Sequence, residues 1–155
     1  MRLELKAIQP SFQENAEFLQ HAECVGILEM SVTYYSNIGY HPPWIGYFVL
    51  LDGKFVGSAG FKGRPRNGMV ELAYGTFPGS QRQGIGTGIC SALVQLALNT
   101  DPTIRVMART LPEENYSTKI LRKNGFEWQG IVVDDDDGDV WEWEFKGGAL
   151  WSQTV

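Results

Sequence analysis

The run Gln81–Arg82–Gln83–Gly84–Ile85–Gly86–Thr87–Gly88 constrains this chain more than any other segment. It follows MVELAYGTF (69–77), which alternates like a strand and is closed by Pro78–Gly79. It precedes a segment in which Ile85, Ile89, Leu93 and Leu96 recur on one helical face. Glycines between a strand and a helix let the backbone come close to an anion. The first N–H groups of the helix have no intrahelical partner, and the helix dipole favours negative charge there. A phosphate or pyrophosphate site follows, although a connector that merely turns the chain would have the same composition. The loop has no lysine for a GxxxxGK[ST] phosphate loop. A dinucleotide fingerprint is GxGxxG on an early strand–helix–strand unit, whereas here GxGxG comes late, behind an antiparallel hairpin.

The rest of the pattern predicts an α+β fold. A helix is expected over 11–22, from Phe12, Ala16 and Leu19 with Ser11 as its N-cap, and further helix over 23–38, ending at Asn37–Ile38–Gly39. IGYFVLL (45–51) and KFVGSAGF (54–61) read as a hairpin turning at Asp52–Gly53. Residues 64–68 form another turn, and 69–77 a third strand. After the glycine loop and its helix, which stops before Asp101–Pro102, 104–109 reads as a strand. A strand–helix–strand unit over 69–109 places two strands parallel in a mostly antiparallel mixed sheet flanked by helices. A second amphipathic helix carries Ile120 and Leu121 and ends at Asn124–Gly125. Strands 126–133 and 140–145 close the chain around an acidic turn. One domain is expected over 1–146, with a loosely ordered tail over 147–155.

Composition removes several function classes. The 155 residues carry a net charge of −5, which argues against nucleic acid, whose phosphates demand clustered Lys and Arg. No apolar run approaches the ~20 residues of a membrane span, and the N-terminus lacks a signal-type apolar stretch, so a cytoplasmic location is expected. Two cysteines and two histidines give no disulfide framework and no multi-histidine metal centre. Asp134–Asp137 with Asp139 invites a calcium reading. An EF-hand register, however, would put its first ligand at Val133, so a charged hairpin tip is the better account and no metal is expected. Trp141, Trp143 and Phe145 have strand period and read as core.

Gln81-x-x-Gly84-x-Gly86 after Tyr74–Gly75–Thr76–Phe77–Pro78 resembles the acyl-CoA loop of the GNAT N-acetyltransferase superfamily. The segment Ala108–Phe126, with Asn115, Ser117, Leu121, Lys123 and Gly125–Phe126, resembles the family's second hallmark. The final VWEWEF strand is similar to the subgroup of ribosomal-protein N-terminal acetyltransferases. The resemblance spans about 45–145. It implies transfer of an acetyl group from acetyl-CoA to a primary amine, on a protein N-terminus or a small molecule, by direct attack in a ternary complex. A homodimer is a further expectation from the family. A GNAT-like domain that binds acyl-CoA as a sensor, without turnover, is the alternative.

The resemblance also implies roles. Gln81, Arg82, Gln83, Gly84, Ile85, Gly86 and Thr87 form the pyrophosphate loop. The strand edge at Tyr74, Gly75 and Thr76 pairs with the amides of pantetheine, and Asn115 and Ser117 face the thiol end, with Glu114 competing for the position of Asn115. The amine must lose a proton before attack, and a carboxylate can take it directly or through water. Glu71, in the middle of MVELAY, is the candidate base, because some family members carry one on this strand. The base that others place on the next strand is absent, since Met107 and Arg109 stand there. Ser117 is the candidate acid for the leaving thiolate, with Tyr116 beside it. The tyrosine that many members use aligns with Leu121. His41, Tyr34, Tyr35, Tyr40 and Trp44 are either an acceptor pocket or aromatic packing under a loop.

Overall fold

The computed structural model describes residues 2–81 and 84–147. Of the expectations above, Arg82, Gln83 and the tail beyond Gly147 lie outside the described residues. The chain runs through β1 (Leu3–Ala7), α1 (Ala22–Ile38), β2 (Gly46–Leu51), β3 (Lys54–Phe61), β4 (Met69–Thr76), α2 (Ile85–Thr100), β5 (Arg105–Thr110), α3 (Tyr116–Lys123), β6 (Phe126–Asp134) and β7 (Gly138–Phe145). All seven strands join one sheet in the order β1-β2-β3-β4-β5-β7-β6. Every pairing is antiparallel except β4 with β5, which the crossover through α2 makes parallel. No helix among the described residues is long and apolar enough to cross a membrane.

Two departures from the sequence reading concern the N-terminal segment. Leu3–Ala7 forms the edge strand β1, paired to β2, where no strand was expected. The helix expected over 11–22 is replaced by two short 3-10 turns, Phe12–Asn15 and Phe18–Gln20, and the regular helix starts only at Ala22. The reason is Asn15. Its buried side chain accepts from the Gln9 N–H at 2.8 Å and donates to the carbonyls of Gln9 and Ser11. These bonds hold the backbone in a loop that a helix would break. Ser11 caps nothing through its side chain, and its hydroxyl donates to Glu14 instead.

The strand period divides the core between the two faces of the sheet. On one face Val49, Phe61, Val70, Leu72 and Trp143 meet Ile85, Ile89 and Leu93 of α2 and Leu121 of α3. On the other, Phe48 and Ile8 meet Cys24 and Leu28 of α1 together with Phe18. Along β4, Val70 and Leu72 point toward α2, so Glu71, Ala73 and Gly75 occupy the α1 face. The β2–β3 turn places Asp52 and Gly53 at positive φ (51° and 85°), as expected of a two-residue hairpin. Gly125, at φ 84°, ends α3 with its N–H donating to the carbonyl of Arg122.

Candidate active site

The site begins where the sheet splits. The β4–β5 ladder covers only Met69–Glu71 against Arg105–Met107. Beyond it, β4 runs on to Thr76 beside β3, while β5 runs on to Thr110 beside β7. Lys62 N–H donates to the Glu71 carbonyl and Phe77 N–H to that of Val56, so odd-numbered residues of β4 bond toward β3. By alternation, the peptide groups of Tyr74 and Thr76 face the opening, with no strand partner there. The Thr76 carbonyl accepts from Gln81 Nε2 at 3.4 Å.

A pocket of about 440 Å³ fills this opening, lined by Tyr74, Gly75, Thr76, Gln81, Gly86, Tyr116, Ser117 and Ile120. The structure thus brings both predicted motifs to one place: the β4 edge, the head of α2 and the first turn of α3. Gly84 caps α2 in the left-handed conformation (φ 75°), and the N–H groups of Ile85, Gly86 and Thr87 form the helix's first turn. Ile85 turns its side chain into the core, so only its backbone is available to a ligand.

Several residues do something other than expected. Gly86 is buried, and a Cβ there would stand 2.8 Å from Ile120 Cδ1 and 3.5 Å from Thr76 Oγ1. Its missing side chain therefore serves the α2–α3 contact at least as much as any anion. The Asn115 side chain caps α3, accepting from Thr118 N–H at 3.1 Å, while Thr118 Oγ1 accepts from the Asn115 N–H in return. Glu114 is paired with Arg122, whose hydrogen bonds, with that of Thr118, hold its carboxyl at about 2. Neither Asn115 nor Glu114 lines the pocket, whereas Ser117 and Tyr116 do. Tyr74 directs its hydroxyl to the Cys90 thiol under α2. Burial raises both groups, the thiol to about 12, so Tyr74 offers the opening its backbone alone.

Glu71 is an ion-paired residue. The Lys62 ammonium is 2.8 Å from its Oε2 and the Arg109 guanidinium 3.8 Å from its Oε1. Arg109 also binds Asp134 at 3.0 Å and Glu142 at 3.4 Å, so one guanidinium ties together side chains of β4, β6 and β7. Backbone N–H donation from Asp136, and then Arg109, hold the Asp134 carboxyl at about 2. The acidic turn closes on itself in this way. No group of three or more His, Cys, Asp or Glu among the described residues could hold a metal ion.

A second, larger cleft of about 890 Å³ opens between α1 and the sheet. Tyr34, Tyr35 and Met30 of α1 face Ser58 and Gly60 of β3 and Ala73, Tyr74 and Gly75 of β4 across it. Tyr34 donates to the Lys62 carbonyl and Tyr35 to that of Phe61, pinning α1 to the end of β3. Tyr34 and Tyr35 thus belong to the pocket alternative. Tyr40, bonded to the Ile8 carbonyl, and Trp44, stacked edge-on against Phe61, belong to packing. The sequence reading missed Lys62, Met30 and Tyr47, which also line the cleft.

Residues 5–127 match the acetyltransferase (GNAT) domain family. The uncharacterized N-acetyltransferase YjdG of Bacillus subtilis (strain 168) is 34% identical over 74 residues, 47% of this chain and 44% of that protein. The chain thus aligns with less than half the length of this curated relative. Among solved structures, the ribosomal L7/L12 α-N-protein acetyltransferase RimL in complex with coenzyme A superposes with a TM-score of 0.65 at 18% identity, covering 93% of each chain. The aminoglycoside acetyltransferase AAC(6')-Ib in complex with coenzyme A and kanamycin gives 0.67 at 19% identity, covering 94% of this chain and 95% of that one.

Proposed function

Because the chain belongs to the GNAT acetyltransferase family, we propose that it transfers the acetyl group of acetyl-CoA to a primary amine inside a ternary complex. The observation that carries this reading is the split between β4 and β5. It leaves the Tyr74 and Thr76 peptide groups facing a pocket headed by the first turn of α2.

In this reading, the pyrophosphate of acetyl-CoA meets the N–H groups of Gly84–Thr87, where helix dipole and unpaired donors both favour an anion. Pantetheine runs along the β4 edge and adds to it as an extra strand would. The acetyl group, when bound, supplies the electrophile. A backbone N–H of the same edge donates to the oxyanion as the amine adds. The C–S bond then breaks, the nitrogen gives up its second proton as the amide forms, and that proton reaches the leaving thiolate through the Ser117 hydroxyl or water. The proton lost by the acceptor ammonium goes to Glu71 through water. Lys62 and Arg109 already occupy its oxygens, and Ala73, the next residue on the same strand face, borders the acceptor cleft. The acceptor amine approaches through that cleft, which shares Tyr74 and Gly75 with the cofactor pocket.

The test is a free-thiol assay with acetyl-CoA and a panel of amines, run beside calorimetry of acetyl-CoA binding. Amine-dependent CoA release supports the enzyme reading. Binding without release for every amine refutes it and marks a sensor.

A further inference from the structure

We infer that two copies of this chain associate through the outer edge of β6, which pairs antiparallel with β6 of the second copy across a twofold axis at Val132. The inference stands apart from the acetyltransferase reading. β6 ends the sheet, and among the described residues only β7 pairs with it. The strand at the other edge, β1, is five residues long, carries Glu4 and Lys6, and ties Lys6 to Glu17 at 2.6 Å. Shortness and charge are ordinary guards of a sheet edge. β6 is nine residues long, and its guard is a bulge between Trp128 and Gly130. Past the bulge, the register against β7 runs unbroken from Gly130 to Asp134.

Backbone, side chains and charge all fit this arrangement. Lys146 N–H donates to the Gly125 carbonyl, so Gly125 bonds toward β7. The bulge shifts the alternation by one residue, so Gly130, Val132 and Asp134 bond toward β7. The peptide groups of Ile131 and Val133 therefore face outward, and each can exchange bonds with the other's counterpart in a second copy. Their side chains are 62% and 75% exposed, on the face that carries Trp141 and Trp143. Trp128, 51% exposed, lies edge-on to Trp141 at 6.0 Å and extends the stripe. An apolar stripe along an unpaired edge marks an interaction surface. In the antiparallel pair Ile131 lies beside the partner's Val133, so the two stripes merge. Charge selects a second copy as the occupant. β6 starts beside the exposed lysines Lys119, Lys123 and Lys146, which outnumber the exposed Glu127, and it ends in the exposed Asp135, Asp136 and Asp137. Antiparallel pairing lays each acidic tip toward the other copy's basic start. A parallel pair would set tip against tip, which like charges oppose.

The experiment is analytical ultracentrifugation of the full chain from ~1 to ~100 µM, which brackets the Kd on the order of 10 µM of a small interface. The mass should rise from the 17.3 kDa monomer toward twice that value. Val133→Lys should raise Kd by ~10²-fold or more, since a twofold interface loses each substituted contact twice. Val133 is exposed, so the variant should melt like wild type at ~1 µM, where the monomer dominates. Ile131→Lys, at a second exposed position, should behave the same way. The axis is tested by Val132→Cys. Residue 132 and its counterpart form a non-hydrogen-bonded pair with Cα atoms ~4.5 Å apart, within disulfide range. Mild oxidation should yield a covalent dimer on a non-reducing gel, because the native Cys24 and Cys90 are buried. Glu4→Cys, on the β1 edge, should stay monomeric under the same oxidation. A monomer at every concentration overturns the inference. So does a dimer indifferent to both lysine variants, a dimer that Val132→Cys fails to trap, or assembly that grows past two copies.

Discussion

Gly57 sets how closely β3 can approach the end of β4, and Gly57→Ala tests that role. A Cβ at this position would stand 2.4 Å from the Gly75 carbonyl oxygen and 3.2 Å from Ile89 Cδ1. Ordinary contact begins at 3.4 Å, so β4 must retreat by 3.4 − 2.4 = 1.0 Å, and the obstacle is backbone rather than a side chain that can swing away. Overpacking of this kind costs about 1–3 kcal/mol, and the lower unfolded-state entropy of alanine offsets about 0.4–1 kcal/mol of it. A net loss of about 1–2 kcal/mol lowers the midpoint of thermal unfolding by about 2–8 °C in a chain of this length. Function should suffer more than stability, because the displaced residue lies between Tyr74 and Thr76. An ~1 Å misplacement of a reacting group can cost ~10²-fold in rate. Circular-dichroism melting measures the first effect, and kcat/KM for acetyl-CoA, in an assay with any accepted amine, measures the second. A variant with unchanged melting and unchanged kcat/KM would show that the β3–β4 spacing does not position the site.

Glu71→Gln keeps the shape and removes the base. Acetyl-CoA affinity should hold while kcat falls by ~10²-fold or more at neutral pH, and the loss should shrink at high pH as the amine deprotonates unaided. Full activity across that range would leave Glu71 a purely structural partner of Lys62 and Arg109. Asn124 is buried and donates to the Thr87 carbonyl at 3.2 Å and that of Ile120 at 3.1 Å, joining the start of α2 to the end of α3. Asn124→Ala should cost about 1–3 kcal/mol, read by urea unfolding, and should raise KM for acetyl-CoA more than it lowers kcat. Asp134 is held at about 2, below its ordinary ~3.9, so its contribution is complete above the ordinary value and is lost as pH falls toward 2. Asp134→Asn should therefore lower the urea midpoint at pH 7 yet leave it nearly unchanged at pH 2, narrowing the gap to wild type on acidification.

The elements from β2 onward were legible because each carries a strong local signal. Asp52–Gly53 fits a hairpin turn, the alternation of Val70, Leu72 and Tyr74 matches a strand buried on one face, and Asn124–Gly125 ends a helix. The first twenty residues were not. Over residues 11–20 the buried positions are Asn15 and Phe18, with Phe12 partly covered, a spacing of three that suits 3-10 turns. Phe12, Ala16 and Leu19 imitate a helical stripe, yet Ala16 and Leu19 are exposed. Leu3–Ala7 is too short to announce a strand, and only its pairing with β2 makes it one. At the site, the glycine loop and Ser117 were readable as motifs. The partners of Glu71 were not, because Lys62 and Arg109 reach it from other strands, and no spacing in the sequence encodes that meeting.

The three-residue ladder between β4 and β5 is also a mechanical waist. On one side lie four strands that zip only with each other, and on the other three that do the same. Across the seam run few main-chain bonds, supplemented by the Arg109 guanidinium and the helices that straddle it. Two such halves should exchange their amide protons as separate cooperative blocks. A ligand lying in the seam would act as the missing rungs. Its binding would slow exchange in both blocks at once, welding two half-sheets into a single mechanical unit.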